Sequence, residues 1–164
     1  MLFRSKQLYQ SHPAAGLVEL EAAGEVDFER IGCRVPLLAN NGQQILAGLH
    51  PAAGGNGTAA CSGEMLLQAL VSCAGTTLAA VATSMGLTIQ SATVKATGKM
   101  DFRGTMGVSR ETPVGLTEIQ VQFQLQTTIP QETILKLVQL TERYCVVLRT
   151  LTDGTKLSCS IPDP

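Results

Sequence analysis

The residues of this chain best suited to covalent chemistry are its cysteines. There are five, Cys33, Cys61, Cys73, Cys145 and Cys159, against two histidines, His12 and His50. An odd count with no CxxC pair argues against a disulfide framework or a zinc site, and neither histidine stands in ligand spacing to a cysteine. No metal and no cofactor are therefore expected. What remains is thiol chemistry, in which a thiolate attacks, is oxidised, and pairs with a second thiol. Two cysteines stand apart by context. Cys73 lies in the middle of a long uncharged run, in Leu70-Val71-Ser72-Cys73-Ala74-Gly75. Cys145 lies in Glu142-Arg143-Tyr144-Cys145-Val146-Val147, where a second helical pattern ends. Cys33, Cys61 and Cys159 read as small structural residues.

The elements that must position these thiols follow from periodicity. Leu17–Val26 and Ile31–Leu37 read as strands. Asn40-Asn41-Gly42 is a turn signal, and Gln43–Leu49 is the returning strand of a hairpin. Pro51–Gly63, with Gly54, Gly55 and Gly57, reads as a loop that lacks the spacings of phosphate-binding motifs. Ser62 is the expected N-cap of a helix running from Met65 to about Met85, with Glu64 in its first turn and Gly86 as its stop. This run is long enough to raise a membrane span. Its Gln, Ser and Thr residues, and the absence of close Lys or Arg flanks, favour a buried central helix instead. The small residues Ala69, Ser72, Ala74, Gly75, Ala79 and Ala80 let another helix approach closely.

Leu87–Lys99 reads as a strand and Met100–Gly115 as a turn-rich connection. In Glu118–Thr127, Ile119, Val121, Phe123 and Leu125 alternate with glutamines, the clearest strand signal in the chain. Pro130 opens a helix on which Ile134, Val138, Thr141 and Cys145 share a face, so Cys145 ends it pointing inward. Thr155–Ile161 alternates again as a last strand. The order is strands, long helix, strands, helix, strand, which is α+β. One domain over 1–164 is expected, with residues 1–16 extended or flexible.

Composition bounds the function. Twelve basic residues against thirteen acidic ones leave a net charge of −1, with no excess to neutralise phosphates, so no nucleic-acid partner is expected. From Val35 to Val94 the one charged side chain is Glu64. A small monomer exposes much of its surface, and surfaces carry charge; this segment is therefore read as buried, partly against a second chain. The first residues, MLFRSKQLYQSH, lack the apolar core of a signal peptide. With free thiols, this points to a cytoplasmic protein away from membranes.

Three segments together resemble the OsmC/Ohr family. Gly63–Cys73 resembles the family's cysteine helix, roughly P-x-E-x-L-x-x-A-x-x-x-C. Asp101-Phe102-Arg103-Gly104-Thr105-Met106-Gly107-Val108 resembles its D-x-R-G-x-x-G connection, and Tyr144-Cys145-Val146-Val147 sits at its second cysteine. The match covers about residues 30–162. It implies an intertwined homodimer with long central helices between mostly antiparallel sheets. It also implies an activity, the thiol-dependent reduction of organic or hydrogen peroxides in oxidative stress defence. On that reading Cys73 is the peroxidatic thiolate, Cys145 the resolving thiol, and an external dithiol the reductant.

A thiol buried among apolar groups is inert unless its thiolate is stabilised. The resemblance supplies an Arg from an N-terminal strand of the dimer, held by a carboxylate at the start of the cysteine helix. Arg34, ahead of Arg30, and Glu64 are the residues here; Asp101 and Arg103 are expected to form a structural pair in the turn. Three positions depart from the family pattern. Gly63 stands where the organic-hydroperoxide branch has its glutamate, Val146 follows the second cysteine in place of Pro, and Ser62 replaces the Pro before the helix. The alternatives are a dimer of the same scaffold that binds a small apolar or thiol-containing ligand without turnover, and a purely structural dimer.

Overall fold

The computed structural model describes residues 2–37 and 42–161. They form two compact units, one up to Ala47 and one from Gly48 on.

The first unit opens with a helix, α1 (Leu2–Ser11), followed by a single 3-10 turn at Pro13–Gly16. This corrects the expectation of an extended or flexible start. Lys6, Gln7, Leu8 and Gln10 are good helix formers, and the Ser11 hydroxyl donates to the Gln7 carbonyl at 3.0 Å. The strand expected over Leu17–Val26 shrinks to β1 (Glu25–Asp27). Ala22, Ala23 and Gly24 are poor strand residues, and Leu17 and Leu20 are exposed. β1 pairs antiparallel with β2 (Gly32–Pro36), with Glu25 opposite Arg34 and Asp27 opposite Gly32. β3 (Gln44–Gly48) runs beside β2, and Leu37 N–H reaches the Gln43 carbonyl at 2.9 Å. Of the expected turn between them, Asn40 and Asn41 lie outside the described residues.

The second unit carries the cysteine pair. After a 3-10 turn at Pro51–Ala53 and the two-residue β4 (Ala60–Cys61), α2 spans Ser62–Ser84. Its cap is Cys61 rather than Ser62, which is the first helical residue. The helix stops as Gly86 requires: Gly86 takes a positive φ of 67°. Leu87 N–H then bonds the Ala82 carbonyl and Gly86 N–H the Thr83 carbonyl, at 3.0 and 3.1 Å, the paired bonds of a Schellman end.

β5 (Ser91–Met100) and β6 (Leu116–Gln126) pair antiparallel, from Ser91 opposite Gln126 to Lys99 opposite Glu118. Between them sits one turn of helix, α3 (Phe102–Thr105). The alternation read in β6 is real: Ile119, Val121, Phe123 and Leu125 turn inward and the glutamines outward. α4 (Gln131–Tyr144) follows.

Two apolar clusters tie α2 to this layer. One centres on Leu78, Val81, Ala82 and Leu137, the other on Leu70, Ala74 and Cys145, and Val94 and Phe123 pack against both. α2 is long and apolar enough to cross a membrane by length and composition. Here its Leu70, Ala74, Leu78, Val81 and Ala82 form one buried face, as in a core helix. The opposite face, with Leu66, Ala69, Ser72, Thr76, Ala79 and Thr83, is exposed.

Two elements differ from expectation. A further helix, α5 (Val146–Asp153), follows Cys145 directly. The last expected strand, Thr155–Ile161, is irregular, with Leu157 and Ile161 92% and 95% exposed. Alternation makes a strand only beside another edge, and among the described residues nothing pairs with this segment. The class remains α+β.

Candidate functional site

Cys145 sits at a corner. It ends α4, its N–H bonding the Thr141 carbonyl at 2.9 Å, and it begins α5, its carbonyl accepting Arg149 N–H at 2.9 Å. Its extended ψ of 110° breaks the helix between these two bonds. The corner is rigid and dry. Leu137, Thr141 and Cys145 are all 0% exposed, and the Thr141 hydroxyl is spent on the Leu137 carbonyl at 2.8 Å.

Cys73 approaches from α2 and packs into the same cluster as Cys145, beside Val147 and Leu148. The two inward cysteines read from the sequence are thus neighbours. Burial pushes the Cys73 thiol up, but its donors outweigh that: Val147 N–H, the Cys145 S–H, Val146 N–H and the Thr77 hydroxyl together hold it below the ordinary thiol value. Cys145 moves the other way. Burial pushes it up, Leu148 and Val147 N–H groups pull it down, and its hydrogen bond and proximity to the Cys73 charge raise it again. The pair is therefore polarised, with Cys73 the better thiolate and Cys145 the thiol that donates to it.

The other expected site residues fall as follows. Arg34, in the first unit, is ion-paired with Asp27 at 2.7 Å. Arg30 N–H also bonds Asp27, at 3.0 Å. Asp27 is held below the usual carboxylate range, the Arg30 N–H contributing most and Arg34 assisting. Glu64 is exposed in the first turn of α2, where its charge suits the helix amino end. Cys33 and Cys61 are half-buried and Cys159 is exposed.

Asp101 and Arg103 form the expected structural pair. The Asp101 carboxylate caps α3 through Arg103 N–H at 2.9 Å and binds the same residue's guanidinium, which lowers its pKa to about 2. Gly104 is required here by space, since a Cβ would lie 2.5 Å from the Pro113 carbonyl oxygen. Among the described residues no three of His, Cys, Asp and Glu gather as a metal would need.

Two features escaped the sequence reading. Thr77 follows Cys73 by one helical turn, a spacing that places both on one face and could have found it. The backbone donors of Val146, Val147 and Leu148 belong to α5, whose signals were Val147, Leu148 and Leu151 at helical spacing before Gly154. A cleft of about 550 Å³ lies close by. Leu70, Leu116, Ile119, Val121 and Leu148 make its floor, and Glu118, Glu142 and Arg149 are among its polar lining.

Comparison with known proteins gives the fold a context. The chain is similar in structure to an OsmC-like protein from Mycoplasma pneumoniae, with a TM-score of 0.67, 16% identity, and coverage of 84% of this chain and 89% of that one. It is also similar to an organic hydroperoxide resistance protein from Elizabethkingia anophelis (TM-score 0.66, 13% identity, 84% and 91% covered). A third is an organic hydroperoxide resistance protein OsmC from Legionella pneumophila (TM-score 0.64, 12% identity, 83% and 92% covered). At these identities the likeness is one of fold. No curated protein matches the sequence. The family model for OsmC-like proteins matches residues 55–160, from the loop before α2 to the segment after α5, which takes in both cysteines of the pair. The chain belongs to the OsmC-like protein family.

Proposed function

We propose that this protein is a thiol-dependent hydroperoxide reductase that cycles two cysteines in defence against oxidative stress. The observation that carries the reading is the polarised pair: Cys73 favoured as thiolate and Cys145 packed against it as a donating thiol. Two neighbours of known structure are named organic hydroperoxide resistance proteins, which supports the substrate class. Cys73 attacks the distal peroxide oxygen and becomes a sulfenic acid, Cys145 closes a disulfide with it, and an external dithiol restores both. Arg34, with Glu64 to orient it, is the candidate guanidinium on the strength of the family resemblance.

We place the working unit in a homodimer, in a reducing cytoplasm, with no nucleic-acid or membrane partner. The exposed, uncharged face of α2 and the unpaired Leu157 and Ile161 support a second copy. The test is consumption of cumene hydroperoxide with a dithiol. Turnover is expected in the native protein, a single oxidation in Cys145→Ser, and none in Cys73→Ser. A reactive Cys73 thiol without turnover of any peroxide overturns the proposal. The cleft beside the pair favours one second reading, a carrier of a small apolar molecule. Native mass spectrometry showing a bound molecule with inert thiols decides for it.

A further inference from the structure

The cleft in the second unit carries a charge that the fold leaves unused. Its floor is apolar: Leu116, Ile119 and Val121 from β6, Leu148 from α5, and Leu70 from the buried face of α2. Leu70 is 1% exposed, but the other four side chains are only half-buried, so apolar surface remains for a further molecule to cover. A volume of about 550 Å³ is that of a small-molecule site, and such sites pair an apolar wall with a few polar groups that select the ligand. The face of α2 proposed for the second copy lies opposite Leu70, so that contact leaves the cleft open.

Among the described residues three charged side chains line the cleft, Glu118, Glu142 and Arg149. Glu118 is held by Lys99 at 2.9 Å and Arg149 by Asp153 at 2.7 Å. Each of these pairs is neutral as a unit. Glu142 has neither an ion pair nor a hydrogen bond among the described residues, and the neighbouring Arg143 is turned over the Tyr144 ring, 5.5 Å from its centre. The cleft therefore presents an apolar floor and one uncompensated carboxylate. An anion entering it meets Glu142 and has to take Arg149 from Asp153. A neutral apolar molecule covers the floor and leaves Glu142 without a counter-charge. A cation on an aliphatic chain satisfies both.

We propose that this cleft binds a small aliphatic amine, its chain on the apolar floor and its ammonium on the Glu142 carboxylate. This rests on the second reading above, in which the cleft carries a small molecule, and it narrows the class of that ligand. No step of the thiol chemistry enters it.

The test is calorimetric titration of the native protein at neutral pH with three probes of equal chain length: octylammonium, octanol and octanoate. The amine is charged under these conditions, as a lysine side chain is. Octylammonium is expected to bind about fivefold more tightly than octanol, the upper range for a carboxylate–ammonium contact within reach of water. Octanoate is expected to bind less tightly than either. Each methylene removed from the amine is expected to weaken it about fourfold. Glu142→Gln is expected to bring octylammonium down to the level of octanol and to leave octanol unchanged. Glu142 is exposed and unpaired among the described residues, so the variant is expected to fold. Glu132→Gln removes the same charge from the same helix outside the cleft, and is expected to bind as the native protein does.

Equal binding of amine and alcohol, or an amine affinity that Glu142→Gln leaves unchanged, overturns the proposal while the carrier reading stands. Tightest binding of octanoate overturns it in favour of Arg149 as the group that selects the ligand's charge. A loss in Glu132→Gln as large as that in Glu142→Gln also overturns it, since the charge of the whole helix and not the cleft then attracts the cation. Binding of none of the three probes overturns the proposal and the carrier reading together. The three-probe series on the native protein decides without any variant.

Discussion

Leu70→Ala is expected to destabilise the second unit and loosen the sulfur pair together. Leu70 is 1% exposed and packs in the cluster that holds both cysteines. Truncation forfeits the transfer energy of three carbons and leaves a cavity that its neighbours, fixed on α2, β6 and α5, cannot fill. The combined cost is about 3 kcal/mol. Against a total of about 5–15 kcal/mol for a domain, the variant still folds but loses a large share of its stability. Urea unfolding followed by circular dichroism measures this, and an unchanged m-value shows that the same surface is exposed. The void opens beside Leu148, on the element that supplies the sulfur donors, so the Cys73–Cys145 disulfide also forms more slowly with added oxidant. A loss below about 1 kcal/mol, with disulfide formation unchanged, refutes the claim that this cluster holds the pair.

Three other outcomes are expected. Ala79 lies on the exposed face of α2, so Ala79→Arg is expected to convert the proposed dimer to a monomer in analytical ultracentrifugation; a variant that stays dimeric rejects that face as the interface. Gly104→Ala puts a Cβ 2.5 and 2.6 Å from the Pro113 and Thr112 carbonyl oxygens, overpacking that costs about 1–3 kcal/mol, and an unchanged melting temperature argues against this packing. Asp101 has its carboxyl lowered from 3.8 to about 2; a depressed carboxyl gives its stabilisation above the unfolded value and loses it as pH falls through the folded one. The native protein should therefore lose this contribution between about pH 4 and pH 2, and Asp101→Asn should flatten that part of the acid titration. Superimposable acid curves count against the pairing.

What the sequence made legible was periodic. The α2 run, the alternating β6 and the inward face of α4 are patterns of 3.6 and 2 residues, and they located Cys73 and Cys145 before any coordinates did. The failures have particular causes. α1 was missed because a short polar helix at a terminus carries little hydrophobic period, its stability resting on Lys6, Gln7 and Leu8 propensity and its Ser11 bonds. The Thr155–Ile161 alternation is genuine, yet a strand is a relation between two edges, and a one-chain pattern cannot supply the second. α5 was lost because Cys145 was read as an end. A residue with ψ of 110° between two helices is at once an end and a beginning, and only the backbone shows the second role.

Residue types point to one kind of group for stabilising the thiolate, and the backbone within the chain adds another. Side-chain reasoning looks for a cation, and the family resemblance puts Arg34 and Glu64 forward for that role. Arg34 is ion-paired with Asp27, and Glu64 is exposed at a helix end. The groups that act on Cys73 are two backbone N–H groups, a thiol and the Thr77 hydroxyl. Hydrogen bonds to a charged acceptor contribute about 1.5–3 kcal/mol each, so a few fixed donors suffice to overcome the burial that raises the thiol. Such donors carry no net charge and bring no counter-ion to be desolvated. They also cannot be withdrawn by another carboxylate, as a guanidinium can.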